Sequence, residues 1–308
     1  MPRSTAAKNA ALLALIALDV ILVVFLIRHR SAEQAPAAPA PSPTVSTPQP
    51  SALTASTAAG ALVDPDSVST MPVEVVDDSH LWAALPGTCA KGGTKLLTTS
   101  DGGRTVTATP VPFNVITRVA PSSSTKGFVV GAGKDCTAQA RRTADSGKTW
   151  ASPGPTTGTW YLDPAKPTDV HTVTNRTVRA CGDGVDARSL VRVTDAQVVV
   201  LCRNGEVRTT NDSGATFTSA GTVKGAVAVT GTSTNGTLTS YVAAVAQPTC
   251  TGVSIAEVGS AKPLGCASMS GTFDRSVGLA VKGASGWLFI GQKVAVSTDG
   301  LKTWTAPS

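Results

Sequence analysis

Aromatic residues are scarce in this 308-residue chain, at 4%, and charged residues reach only 15%. A core built from such a sequence has to come from Val, Ala, Leu and Thr, a mixture that suits strands better than helices. Histidine is rarer still: three in all, of which only His80 and His171 lie beyond residue 30. Both read as surface or strand residues rather than catalysts. There is no Gly-x-Ser-x-Gly elbow, no His-Glu-x-x-His and no phosphate-binding glycine loop, which removes the commonest sequence signatures of hydrolase, metalloprotease and nucleotide chemistry. Cys-x-x-Cys and Cys/His zinc spacings are missing too. Beyond Ile27 no segment sustains an apolar period of 3.6, so almost no helix is expected there. Short apolar runs recur instead, as at 197–201, 240–245 and 287–290.

What the chain does have is a recurring corner. Residues 142–150 read Arg-Thr-Ala-Asp-Ser-Gly-Lys-Thr-Trp, and altered copies occupy 99–106, 210–217 and 297–304. Each fits Ser/Thr-x-Asp-x-Gly-x-Thr-aromatic, with Val106 replacing the aromatic in the first copy and Leu301 replacing the glycine in the last. An aspartate followed two residues later by glycine makes a tight turn, because the carboxylate accepts backbone N–H groups and glycine enters the positive-φ region without a Cβ clash. Flanking β-branched and aromatic residues make that turn a corner between strands, the Trp or Phe filling space against a neighbouring sheet. The expected corner residues are Asp101, Gly103 and Thr105; Asp145, Gly147, Thr149 and Trp150; Asp212, Gly214, Thr216 and Phe217; and Asp299, Thr303 and Trp304. In the last copy Gly300 is expected to take over the special dihedral.

The four aspartates lie 44, 67 and 87 residues apart, 198 in all. At roughly 40 residues per propeller blade this makes about five intervals and six blades, with corners in blades one, two, four and six; seven blades is the other closure. Residues 73–106, 115–150, 189–217 and 276–304 overlay as strand, turn, strand, loop, strand and corner. Residues 160–186 and 226–260 repeat the strand rhythm without a corner. A β-sandwich is the competing all-β arrangement.

The corner resembles the Asp-box, or BNR, repeat of sialidase-like and photosystem-assembly-factor-like β-propellers. In sialidases the box lies on outer turns remote from the catalytic centre, so the resemblance implies a fold and not an activity. Hydrolysis in that family uses three arginines on the substrate carboxylate, a Tyr nucleophile paired with Glu, an Asp acid–base and an early Arg-Ile-Pro-like motif. This chain lacks that motif, and neither of its two tyrosines, Tyr161 and Tyr241, matches a Tyr–Glu pair, so no catalytic residue is assigned. The photosystem-assembly type is closer in size and in the Thr-x-Asp-Gly-Gly style of its box, and it is a non-enzymatic binder.

Ahead of the repeats, residues 1–9 carry Arg3 and Lys8, and residues 10–27 form an apolar run broken only by Asp19. That run just meets the roughly 18 residues a spanning helix needs, and Arg28-His29-Arg30 follows it directly in place of the small residues of a signal-peptide cleavage site. An uncleaved single-pass anchor is therefore expected, although Asp19 costs about 3 kcal/mol in lipid. Residues 31–70 are nearly all Ala, Pro, Ser and Thr, which predicts a disordered spacer.

Six cysteines, Cys89, Cys136, Cys181, Cys202, Cys250 and Cys266, fit an oxidising compartment, so residues 1–9 are placed in the cytoplasm and the rest beyond the anchor outside it. Fifteen pairings exist; the preferred one joins neighbours around a closed ring, Cys89 with Cys136, Cys181 with Cys202, and Cys250 with Cys266. The turn at 181–186 brings Asp183 and Asp186 together, and reads as a Gly-Asp turn rather than a calcium site. Of the formal charge of +6, three units belong to residues 1–30, and the remaining basic residues are scattered, which argues against nucleic acid.

The sequence thus predicts an all-β, six-bladed propeller over 71–308, with no cofactor and no metal. Its candidate ligand face lies on the loops between second and third strands, at Lys91, Lys134, Asp135, Arg203 and Asn204. The expected partners are the lipid bilayer, through residues 10–27, and an envelope protein or glycan. The expected function is non-enzymatic binding or scaffolding at the cell envelope; the alternative is a cell-surface glycoside hydrolase.

Overall fold

The computed structural model describes residues 63–268 and 274–307. The expected tail, the anchor at 10–27 and most of the spacer lie outside the described residues. No helix among the described residues is long and apolar enough to cross a membrane; the one helical element there is a 3-10 turn, Pro65–Ser67.

Six sheets make a six-bladed β-propeller. The first strand, β1 (Ser69–Thr70), belongs to the last sheet. Blade one is β2 (Val73–Val75), β3 (Leu81–Ala84), β4 (Lys95–Thr99) and β5 (Thr107–Pro110), and blade two is β6 (Val115–Pro121), β7 (Gly127–Ala132) and β8 (Ala138–Thr143). Blade three is short: β9 (Tyr161–Leu162), β10 (Val170–His171) and β11 (Thr177–Val178). Blade four is β12 (Ala187–Arg192), β13 (Val198–Cys202), β14 (Glu206–Thr210) and β15 (Thr218–Thr222). Blade five is β16 (Ala226–Thr234), β17 (Thr237–Ala244), β18 (Val253–Glu257) and β19 (Gly265–Ala267), and blade six is β20 (Ser276–Lys282), β21 (Ser285–Ile290) and β22 (Lys293–Ser297). Within each blade successive strands pair antiparallel.

Second strands explain the short apolar runs of the sequence. β3 and β13 are buried at every position, because neighbouring blades cover both faces of the sheet, and a strand covered on both faces reads as a continuous apolar run. Apolar clusters fill the seams between blades. Trp82, Leu96, Ile116 and Val129 join blades one and two; Trp160, Val170, Val198 and Val200 join three and four. Val199, Leu201, Val229 and Val242 join four and five, Ile255, Leu279 and Leu288 join five and six, and Leu81, Leu97, Trp287 and Phe289 join six and one. No comparable cluster spans the seam between blades two and three among the described residues.

The ring closes through its beginning. β1 pairs parallel with β20, and the Thr70 hydroxyl donates to the Val227 carbonyl of blade five. Arg188, on the innermost strand of blade four and buried at 5% exposure, donates through Nη2 to the carbonyls of Pro65 and of Val68, the latter at 2.7 Å. The segment 65–70 therefore runs inside the ring against blades four, five and six. The composition-based boundary at residue 71 is corrected accordingly: these residues look like spacer, but they carry backbone groups that an inner strand and one buried arginine can pair, and they belong to the ring.

Three disulfides form, Cys89–Cys136, Cys181–Cys202 and Cys250–Cys266. The first ties the second-to-third-strand loops of blades one and two, the second ties blade three to β13, and the third lies within blade five.

Candidate functional site

The four aspartates sit on equivalent corners, after the third strand of blades one, two, four and six. Asp101, Asp145, Asp212 and Asp299 each accept the backbone N–H four residues on, from Thr105, Thr149, Thr216 and Thr303, at 2.9 to 3.0 Å. They also accept the hydroxyl two residues back, from Thr99, Thr143, Thr210 and Ser297, at 2.7 to 2.9 Å. In three corners the later threonine adds its own hydroxyl, at 2.6 to 2.7 Å. The bonds from these threonines hold all four carboxyls below the ordinary range, at about 2 for Asp101 and Asp145. The amides of Gly103, Gly147 and Gly214 donate to the earlier threonine hydroxyl, at φ of 103°, 86° and 81°. In the fourth corner Gly300 has φ 76°, yet Leu301 is left-handed as well, at φ 69°; the glycine does not relieve it. Trp150, Phe217, Trp304 and Val106 pack against the interblade clusters. Each corner also docks on the first hairpin of its own blade, as where Ser146 N–H meets the Thr125 carbonyl at 2.8 Å. These are architectural corners whose carboxylates have their acceptor sites filled.

The corners mark one face of the ring, and the loops between second and third strands mark the other. Lys91, Lys134, Asp135, Arg203 and Asn204 are all exposed on that second face, where the Cys89–Cys136 disulfide draws the loops carrying Lys91, Lys134 and Asp135 together. Arg203 is engaged with Asp66 at 3.5 Å and Asp186 at 3.7 Å, while Asp135 and Asn204 cap nearby backbone N–H groups. None of the five lines a cavity described here. Asp183 is held by Arg179 at 2.6 Å, so arginines take up both carboxylates of the 181–186 turn. His80 and His171 are bonded to Asp77 and Asp163, each at 2.9 Å, and the His171 ring stacks on Tyr161 at 4.3 Å.

A cavity of about 880 Å³ opens on the corner face, at the seam between blades two and three. Its wall includes Glu74 of β2, Arg118 of β6, Arg192 at the end of β12, Asp195 in the turn after it, Phe128 and Trp150. Where the other seams are filled by Leu, Val and Trp, this one places Arg118, 7% exposed, whose Nη1 donates to the Trp160 carbonyl across the seam at 2.8 Å. The Nε of Arg118 and the Nε1 of Trp150 are buried and have no hydrogen-bond partner among the described residues. An unmade bond on a buried charged group is expensive, and these two donors belong to residues that border the cavity, while Thr117, Arg141, Arg208 and Trp287 leave side-chain atoms unpartnered elsewhere. Arg192 is occupied with Asp195, at 2.8 Å.

Glu74 faces this arginine pair without a direct ion pair. Burial raises its carboxyl to about 7, even though Arg118 and Arg192 pull the other way. Burial likewise lowers Arg118, with Glu74 opposing it. Sequence reading missed the site, since Glu74, Arg118 and Arg192 lie on three different blades with no local motif. The one signal was a charged residue in a mostly apolar inner strand, as at Arg118 in Val-Ile-Thr-Arg-Val-Ala.

No family model matches the chain, and no curated protein matches it. Among solved structures it is similar to a YCF48 bound to a D1 peptide, at 17% identity over 78% of this chain and 68% of that one, with a TM-score of 0.27. It is also similar to YCF48 from Cyanidioschyzon merolae, at 15% identity over 78% and 70%, TM-score 0.29. A GH74 enzyme from Niastella koreensis is similar at 16% identity over 79% of this chain and 48% of that chain, TM-score 0.25. Scores this low carry nothing about activity; the propeller is read from the strand pairing of this chain.

Proposed function

We propose that this chain is a binding module of the cell envelope, a propeller held outside the cytoplasm by an anchor at 10–27, which takes an acidic group of a protein or glycan partner in the cavity between blades two and three. The observation that carries this reading is the buried Arg118, with an idle donor, in the one seam that lacks an apolar core among the described residues. The three disulfides and the Ala/Pro/Ser/Thr-rich stretch support the external placement. The test is binding of the full chain, in a non-ionic detergent, to arrays of acidic peptides and of carboxylated or sulfated glycans. Binding lost in Arg118→Gln, and kept when Lys91, Lys134 and Arg203 are changed to Gln, is expected. The reverse pattern moves the site to the opposite face and ends the cavity reading.

Glycoside hydrolysis is the second reading, and one observation favours it. Glu74, with its carboxyl raised to about 7, shares the cavity with Asp195, and two carboxyl groups in unlike surroundings are the usual equipment for acid and base roles at a glycosidic bond. Turnover of 4-methylumbelliferyl glycosides that disappears in Glu74→Gln would establish it and displace the binder.

A further inference from the structure

Glu74 is the one acidic side chain lining the cavity that no cation holds within ion-pair distance among the described residues. The neighbouring elements define its surroundings. β6 brings Arg118 with its unpaired Nε, and the end of β12 brings Arg192 already bonded to Asp195. β3 sets the fully buried Trp82 opposite Glu74 in the pairing register. Lys282 of β20 is turned away to the Val76 carbonyl, at 2.8 Å. Lys126 and Arg142 stand further along the wall. An oxyanion entering this space finds the Arg118 guanidinium as its natural donor, and meets Glu74 beside it. As a neutral acid, Glu74 adds a second donor; as a carboxylate, it repels the anion and competes for the same guanidinium.

Resting on the binder reading above, we propose that the cavity takes up one oxyanion and one proton together, the anion on Arg118 and the proton on the Glu74 carboxylate. The proton comes from solvent and no covalent bond changes. Burial sets the carboxyl at about 7, so the linkage operates close to neutral pH. Below that range affinity is level; above it affinity falls about tenfold per pH unit, the slope of a one-proton linkage.

The experiment is calorimetric titration of the full chain with inorganic sulfate, whose charge is constant across the range, in pairs of buffers of different ionisation heat. At about pH 8 proton uptake approaches one per sulfate bound and at about pH 5.5 it approaches zero, as mass action on a group titrating near neutrality requires. Glu74→Gln binds sulfate with the same affinity at both pH values and takes up no proton, and Arg118→Gln does not bind. Sulfate binding without proton uptake, or a pH slope that persists in Glu74→Gln, overturns this inference and leaves the binder reading standing. No sulfate binding at any pH overturns both. The proton count on the unmutated chain holds even where a variant fails to fold.

Discussion

Leu301 keeps a left-handed backbone at φ 69° while its side chain is 3% exposed, packed in the cluster that joins blades five and six. A branched residue in that region is strained by roughly 1–2 kcal/mol, whereas emptying a buried leucine site costs about 2–5 kcal/mol. The cavity term wins, so Leu301→Gly is expected to destabilise the ring by roughly 1–3 kcal/mol in chemical denaturation, despite restoring the consensus glycine. A gain in stability would show that strain dominates. Glu74 shows the opposite balance. Its folded-state value, about 7, lies above the ordinary 4.5, so the contribution of Glu74 to stability is full below the ordinary value and is lost as pH rises through 7. Glu74→Gln is therefore equal in stability to the native chain near pH 4 and more stable by about 3 kcal/mol near pH 8; equal stability at both pH values would contradict the burial argument.

At the scale of single elements, the corners make acid sensitivity a property of the hairpins. Their four carboxyls are depressed, so the stability they contribute is full above the ordinary carboxylate value and is lost as pH falls below it, through about 2 for Asp101 and Asp145. Asp212→Asn is expected to be less stable than the native chain at neutral pH and to lose less on acidification, the two curves drawing together as pH falls well below the ordinary carboxylate range. Parallel curves in a urea series at stepped pH would argue against it. β1 shows the other way an element is made. Two residues hold their place because β20 supplies a pairing edge and Arg188 bonds the carbonyls before them, and nothing in Ser69-Thr70 itself asks for a strand.

For the whole molecule the uneven seams matter most. Five junctions bury apolar side chains, each worth roughly 1.5–3 kcal/mol when fully buried. The junction between blades two and three rests on polar ties such as Arg118 to Trp160, with the Cys89–Cys136 bridge close to Pro164 of blade three. Blade three is also the thinnest, with two-residue strands. Native-state hydrogen exchange is expected to release the amides of Leu162, Val170 and Val178 by sub-global opening, well before those of β13 and β21. Uniform protection around the ring would show that the seam is not a weak point. Ligand sites are often placed at such less stable junctions, where packing has been given up for polar groups.

The recurring Asp-x-Gly corners and the apolar runs of the second strands are local matters: an aspartate bonds the backbone within four residues, and a strand covered on both sides must be apolar throughout. For that reason blade number, corner positions and the pairing of cysteines on neighbouring loops could all be reasoned from the chain alone. The cavity could not. Glu74, Arg118 and Arg192 are separated by 44 and 74 residues and share no motif; only closure of the ring brings three inner strands to one point, and only the missing apolar core between blades two and three leaves space there. The same holds for residues 65–70, whose composition is that of a spacer and whose place inside the ring depends on an arginine more than a hundred residues away.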